Sequence, residues 1–414
     1  ELIAAHKDKL DALKDHKKGL MQNLFPQDGE KVPKLRFKEF KDSGEWDVKT
    51  LGEVLIKNSK KNKNQKYSLV ESVSNKFGFI KQDEYFENRR VASKDTSNYY
   101  VIKKGYFAYN PSRIDVGSLA YKHNDEISII SPLYVSFKAN NELINDYFLL
   151  SFFNSVTFTK QMIFEGGVRN TLNYDNLIQS KIPIPTIQEQ QRIASCLSSL
   201  DEVIEAHSKK LDLLKDHKKG LMQNLFPQEG ETVPKLRFPE FEEDGEWVEN
   251  QLQEHCHNIS SGKDKNQDDG KIDLYGSTGI IGKTENESYE GDYILVARVG
   301  ANAGLLNRAI GKFGVTDNTL IINLKEPEMV DFIFYSLDKI GLNKLVFGSG
   351  QPLVTGKQLK ELNIPIPKNP KEQQKIASCL SAVDELITAQ QEKIEQLKLH
   401  KKGLMQGLFP KIND

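Results

Sequence analysis

LKDHKKGLMQNLFPQ stands at Leu13–Gln27 and again, unchanged over its fifteen residues, at Leu214–Gln228. A third version, LKLHKKGLMQGLFP, closes the chain at Leu397–Pro410. Outward from these copies, Leu2–Trp46 and Val203–Trp247 align without a gap at an offset of 201. IPIPTIQEQQRIASCLSSLDEVIEA (Ile182–Ala206) recurs as IPIPKNPKEQQKIASCLSAVDELITA (Ile364–Ala389) with one inserted residue. The stretches between the copies, roughly 48–180 and 248–362, barely resemble each other. A repeated frame thus alternates with divergent filling, unlike a solenoid, which varies evenly along its length.

The frame reads as long helices. Ile193, Leu197, Leu200, Ile204, Leu211, Leu214, Leu221 and Leu225 follow a four–three apolar spacing. Ile376, Leu380, Val383, Ile387, Ile394, Leu397, Leu404 and Leu408 repeat it, and Ile3, Leu10, Leu13, Leu20 and Leu24 continue the theme. Such a seam predicts helices that pair as coiled coils. Polar residues interrupt it at matched places, His6, His207 and Gln390, then Lys17, Lys218 and Lys401. Polar seam residues weaken a coil but select register and partner. Pro26, Pro227 and Pro410 end the three helical copies, since proline cannot continue a helix. A helix over 188–225 spans ~57 Å at ~1.5 Å per residue. Domains at its two ends would reach two DNA patches with an untouched gap between them.

The expected organisation is α+β: two globular mixed α/β domains joined by long antiparallel coiled-coil helices. The expected boundaries are 1–25 for a partial spacer helix, 26–47 for a linker and 48–187 for the first domain. Then come 188–226 for the central helix, 227–247 for a second linker, 248–370 for the second domain and 371–410 for the last helix.

The chain has 414 residues (47.1 kDa), of which 38% are hydrophobic and 28% charged, with mean hydropathy -0.53 and net charge -1. That balance excludes global disorder, and no apolar run reaches the ~18–20 residues of a membrane span. Three cysteines, Cys196, Cys256 and Cys379, make no disulfide framework and point to a reducing cytoplasm. Cys256 between His255 and His257 lacks the second cluster that a structural zinc site requires.

Any DNA binding must come from local patches. Residues 48–165 carry 17 Lys and Arg against 12 Asp and Glu. Lys57, Lys60, Lys61, Lys63 and Lys66 crowd one stretch among Asn and Ser, followed by Arg89, Arg90 and YNPSR (Tyr109–Arg113). Cations beside aromatics and amides suit phosphate anchoring and base-edge contacts, with Tyr109, Asn110 and Arg113 as candidates. Residues 248–347 are acidic overall, 10 against 15, and the candidates there are Lys263, Tyr275, Ser277, Arg298 and Asn302.

Catalytic motifs do not emerge. LYGSTGIIGKT (Leu274–Thr284) misses the phosphate-loop spacing, because Gly276 and Gly282 are six apart and Ser277 replaces the required glycine; a polar turn, not a helix, follows it. VARVGANAG (Val296–Gly304) is no dinucleotide fingerprint. Asn110-Pro111 continues as Ser112-Arg113, which is not the tetrad of an adenine methyltransferase. FEGG at Phe164 and FGSG at Phe347 are not an S-adenosylmethionine motif, and neither a nucleophile elbow nor an HExxH site is present. Glu189 and Glu372 fall at helix starts, where carboxylates complement the helix dipole.

IPIPTIQEQQRIASCLSSLDEVI, then KLDLLKDHKKGLMQNLF, then VPKLRFPEFEEDGEW opening a divergent segment, resembles the specificity subunit of type I restriction–modification systems. The resemblance spans nearly the whole chain and includes YNPSRIDVGSLAYK (Tyr109–Lys122) and the run Tyr275–Ile322. It implies a non-catalytic reader of double-stranded DNA whose two recognition domains each take half of a split target. It also implies two methyltransferase subunits docked on the helices, bringing S-adenosylmethionine for adenine N6 methylation, and ATP-hydrolysing restriction subunits. No cofactor is implied on this chain itself. GGVRNTLNYDNL (Gly166–Leu177) and GSGQPLVTGKQL (Gly348–Leu359) resemble the family's closing strand-turn-helix, which adds Arg169, Asn170 and Gln351 as DNA neighbours. One departure is the half-copy of the helix, Leu2–Leu24, ahead of VPKLRF. It would complete a bundle, add a strand to a coil, or be the remnant of a recombined gene. Two competing classes are a coiled-coil protein scaffold that never touches DNA and a fragment of a fused methyltransferase.

Overall fold

The computed structural model describes residues 32–33, 35–75, 78–82, 93, 95–162, 171–267, 269–347 and 352–408. They divide into two compact units, one of residues up to Ser208 together with those from Glu392 onward, the other Lys209–Gln391. The two long helices, Ile187–Asn224 and Pro370–Leu408, are each shared between units. The half-copy Leu2–Leu24, with its His6 and Lys17, lies outside the described residues.

The first unit holds β1 (Asp47–Thr50), β2 (Leu55–Lys57), β3 (Glu71–Ser74), β4 (Gly78–Lys81), β5 (Tyr100–Ile102) and β6 (Tyr106–Tyr109). β7 (Leu119–Tyr121), β8 (Ser128–Ile130), β9 (Val135–Ala139) and β10 (Lys181–Ile184) follow. β2, β9, β6 and β7 form an antiparallel sheet in that order; β3–β4, β5–β8 and β1–β10 are two-stranded. Phe107 and Phe137 face each other across β6 and β9, and their rings stack at 5.4 Å. Helix Asp146–Phe153 reads DYFLLSFF, too apolar to offer solvent a broad polar face. Phe148, Leu149, Phe152 and Phe153 are accordingly buried in the same core as Phe107 and Phe137. Asn145 starts this helix by accepting from Tyr147 N and Phe148 N. Lys122 Nζ lies 2.6 Å from Oε2 of Glu71 in β3, which also accepts from Ser128 in β8. The extra hydrogen bond is what a buried ion pair needs to be tolerated.

β1 pairs antiparallel with β10, Asp47 facing Ile184 and Thr50 facing Lys181. This closure brings the VPKLRF segment beside the first turn of the first long helix. There Arg36 holds Glu189 through Nε and Nη2, each at 2.7 Å, while Nη1 donates to Gly44 O at 2.6 Å. The second unit repeats the device. β11 (Val248–Gln251) pairs with β18 (Asn363–Ile366). Arg237 grips Glu372 at 2.8 Å twice, donates to Gly245 O at 2.6 Å, and Trp247 Nε1 adds a bond to Glu372 at 3.3 Å. The two glutamates do sit in first helical turns, but their carboxylates are clamped by arginines some 130–150 residues away in sequence.

The filling of the second unit differs. β12 (Cys256–Ser261), β13 (Ile272–Gly276), β14 (Gly279–Thr284), β15 (Tyr289–Ala297), β16 (Leu306–Val315) and β17 (Thr319–Leu324) form one sheet in the order β12-β17-β15-β16-β13-β14. Among the described strands of this sheet, only the β13–β16 pair is parallel. LYGSTGIIGKT is therefore a β-hairpin, with no helix N-terminus to meet a phosphate. Cys256 is buried, packed in the unit's hydrophobic core.

The long helices show where a periodic pattern misleads. Ile193 and Leu197 are buried in the core of the first unit, and Ile376 and Leu380 in that of the second. These positions serve the recognition domains and are not reserved for helix pairing. An apolar stripe states that a face will be covered, not by what. Val383 and Ile394 are buried, while Leu200, Ile204, Leu211, Leu214, Leu221, Ile387, Leu397 and Leu404 are half-buried. The repeated HKKGLMQ stretch also has a docking role. Met222, Leu225 and Phe226 enter the core of the second unit beside Trp247 and Phe332, and Leu404 packs on the core of the first.

Candidate nucleic-acid interface

In the first unit the lysine-rich loop joins β2 to β3. Lys57 Nζ lies 4.7 Å from the centre of the Tyr174 ring, Lys61 Nζ 3.2 Å from that of Tyr100, and Lys66 Nζ 5.7 Å from that of Tyr67. Aromatic faces attract cations without neutralising them, so these ammonium groups keep their charge for an anion. Lys60 and Lys63 are exposed. The interleaved asparagines have another task. Asn58 donates to Val101 O and Ser136 Oγ, and Asn62 donates to Tyr67 O and accepts from Tyr67 N. Both are buried, because the loop needs internal partners for its own backbone; they shape the loop and present no edge to a base.

YNPSR divides in the same way. Tyr109 is fully buried and donates to Leu172 O at 3.0 Å; burial holds its phenol well above the ordinary value. It belongs to the core, which corrects its place among the candidate DNA contacts. Asn110 accepts from Ser112 N at 3.1 Å, forming a turn. That turn delivers Arg113, exposed and without an ion pair among the described residues. Leu172 N donates to Pro111 O at 3.0 Å, so the arginine loop abuts the segment that follows Arg169 and Asn170. Those two residues, like Arg89, Arg90 and Gln351, lie outside the described residues.

In the second unit four of the five candidates, Lys263, Tyr275, Ser277 and Arg298, gather at one end of the six-stranded sheet, around the turn Thr316–Asn318. Asn318 O accepts from Ser277 Oγ at 3.1 Å and from Arg298 N at 2.9 Å. Arg298 Nη1 reaches 3.5 Å from Asp317 O, a contact too long to hold the guanidinium. Thr316 N donates to Tyr275 O. The Tyr275 ring packs 5.5 Å from Phe313, and burial followed by Asp273 raises its phenol. Gly262 and Asp264 bond to Thr319 O and Val315 O, leaving Lys263 exposed between them. The approach is close: a Cβ on Gly262 would stand 2.0 Å from Val315 O. Asn302 is exposed in the β15–β16 loop, its carbonyl accepting from Leu305 N. Gly300, at φ +83, turns that loop so that its N–H meets Pro352 O. Val354 N donates to Arg298 O at 2.9 Å. In both units, then, the arginine loop is bonded to the segment just beyond the undescribed candidates.

No motif in the sequence marks the clamping Arg36 and Arg237 or the acids Asp201 and Asp384 as functional. The signal for the acids was present, since LDEVI and VDELI place them at matched positions of the repeat. Among the described residues, no group of three or more His, Cys, Asp or Glu is placed to hold a metal ion. No helix among them is long and apolar enough to cross a membrane.

A family model described as the type I restriction modification DNA specificity domain matches residues 43–216 and 245–399. Each stretch runs from the frame ahead of β1 or β11 into a long helix. The MjaVIII type I restriction enzyme specificity subunit of Methanocaldococcus jannaschii is 30% identical over 321 residues, covering 68% of this chain and 73% of the relative. The MjaX specificity subunit of the same organism is 27% identical over 403 residues, covering 88% and 93%. The crystal structure of a type I system S subunit from M. genitalium has a similar fold, with a TM-score of 0.60 at 15% identity, covering 92% of this chain and 100% of that one. With two copies of the domain matched over most of its length, the chain belongs to the type I restriction–modification DNA specificity family.

Proposed function

We propose that this chain is the sequence-reading subunit of a type I restriction–modification complex, each recognition domain taking one half of a bipartite DNA target. Specificity subunits are the non-catalytic components of such systems. The observation that carries the reading is one frame built twice around unlike fillings. β1–β10 with Arg36–Glu189 and β11–β18 with Arg237–Glu372 hold two different sheets in the same manner. A single contact surface needs no such duplication, whereas two different half-sites do. On this reading the long helices pair antiparallel as a coiled-coil spacer and dock two methyltransferase subunits. Those subunits carry S-adenosylmethionine and methylate adenine N6, restriction subunits hydrolyse ATP, and the assembly works in the cytoplasm.

The proposed contacts are Lys57, Lys60, Lys61, Lys63, Lys66 and Arg113 in the first unit. In the second they are Lys263, Ser277, Arg298 and Asn302. The test is co-expression with a partner methyltransferase in a methylation-free host, followed by genome-wide mapping of N6-methyladenine. A split motif with a fixed gap, lost when this chain is omitted, is the expected result. An intact, active complex that methylates no defined site would overturn the reading.

A further inference from the structure

The two units share a second device, built partly from the divergent filling. In the first, the Tyr147 hydroxyl donates to Asp201, and Lys401 pairs with the same carboxylate. In the second, the Tyr335 hydroxyl donates to Asp384 at 2.8 Å, and Lys218 Nζ stands 2.7 Å from Asp384. Lys218 also lies 5.3 Å from the centre of the Tyr335 ring. Each triad joins three elements: a helix of the recognition domain, the long helix that leaves that domain, and the closing half of the other long helix.

The tyrosines are not copies of one another. Tyr147 is the second residue of DYFLLSFF and Tyr335 the sixth of VDFIFYSLDKI, yet two unlike sequences supply the same hydroxyl to the matched aspartate. Apolar seam residues cannot do this work alone, because leucines every three or four residues still meet leucines after a slip of one turn, ~5.4 Å. An ion pair with a bound phenol exists at one level only.

We propose that Tyr147–Asp201–Lys401 and Tyr335–Asp384–Lys218 are positioning residues that set the gap the molecule accepts between half-sites. The proposal rests on the bipartite reading above. A one-turn slip of ~5.4 Å would correspond to one or two base pairs at ~3.4 Å each, so loosening a triad broadens the range of accepted gaps in both directions and leaves both half-sites unchanged.

The test uses the full chain in complex with methyltransferase, with N6-methyladenine mapped for wild type, Asp384→Asn, Tyr335→Phe and the charge swap Lys218→Asp with Asp384→Lys. Wild type methylates one gap. Asp384→Asn and Tyr335→Phe keep the half-sites but methylate gaps one or two base pairs longer or shorter at least tenfold above wild type, and the swap narrows the profile again. An unchanged gap profile in both single variants overturns the proposal, as does an even loss of methylation at all gaps, the mark of a merely structural role. Should wild type yield no split motif, the bipartite reading has failed and the proposal falls with it.

Discussion

Replacing Glu372 by alanine removes the centre of one frame clamp. The Arg237 side chain is 7% exposed and that of Glu372 1%, so water cannot take over the lost bonds. Two guanidinium donors at 2.8 Å lose their acceptor, and the Trp247 indole loses its partner at 3.3 Å. Gly245 O alone still receives Arg237. Breaking a buried pair from one side costs about 3–5 kcal/mol, because the remaining charge stays buried without compensation. For a unit of this size that is a fall in melting temperature of ~6–20 °C. Scanning calorimetry and urea unfolding of the full chain would read it. Arg237→Met combined with Glu372→Met should recover at least half of the loss, since no charge is then stranded. If Glu372→Ala stays within ~1 kcal/mol of wild type, the range of an exposed pair, the clamp is not the closure described above.

Two further outcomes are expected. Arg298→Ala should relax one position of the target by ~1–3 kcal/mol, whereas Lys61→Ala should weaken all sequences alike and lower the salt dependence of binding; fluorescence anisotropy against a panel of single-base variants separates the two. Burial pushes the Cys256 thiol up to about 12, against 9.0 for a free thiol. Its contribution to stability is thus complete below pH 9 and lost as pH rises toward 12, so Cys256→Ala should flatten the alkaline arm of the stability profile, and maleimide should label Cys256 only after denaturation.

The helical spans were legible because they depend on local spacing. The apolar spacing from Ile193 to Leu221 lies in Ile187–Asn224, and that from Ile376 to Leu408 in Pro370–Leu408. Residue type put Arg113, Arg298, Ser277 and the lysines forward as candidate contacts, and it speaks equally for Tyr109, Asn58 and Asn62, which are buried and structural. Residue type states what a side chain can do, and burial decides whether it is free to do it.

What the sequence determined by itself is the frame: its repeat, its helices, its order of domains and its family resemblance. All of these are carried by neighbouring residues or by direct likeness between copies. Tertiary structure alone decided the partners. Arg36 finds Glu189 across 153 residues, Arg237 finds Glu372 across 135, and Lys401 finds Asp201 across 200. It alone sent Ile193 and Leu197 into a domain core and brought Lys263, Tyr275, Ser277 and Arg298 of the second unit to the turn Thr316–Asn318. An ion pair or a packed core is a meeting of distant chain segments, and its energy depends on distance and on exclusion of water, neither of which is written in any local pattern.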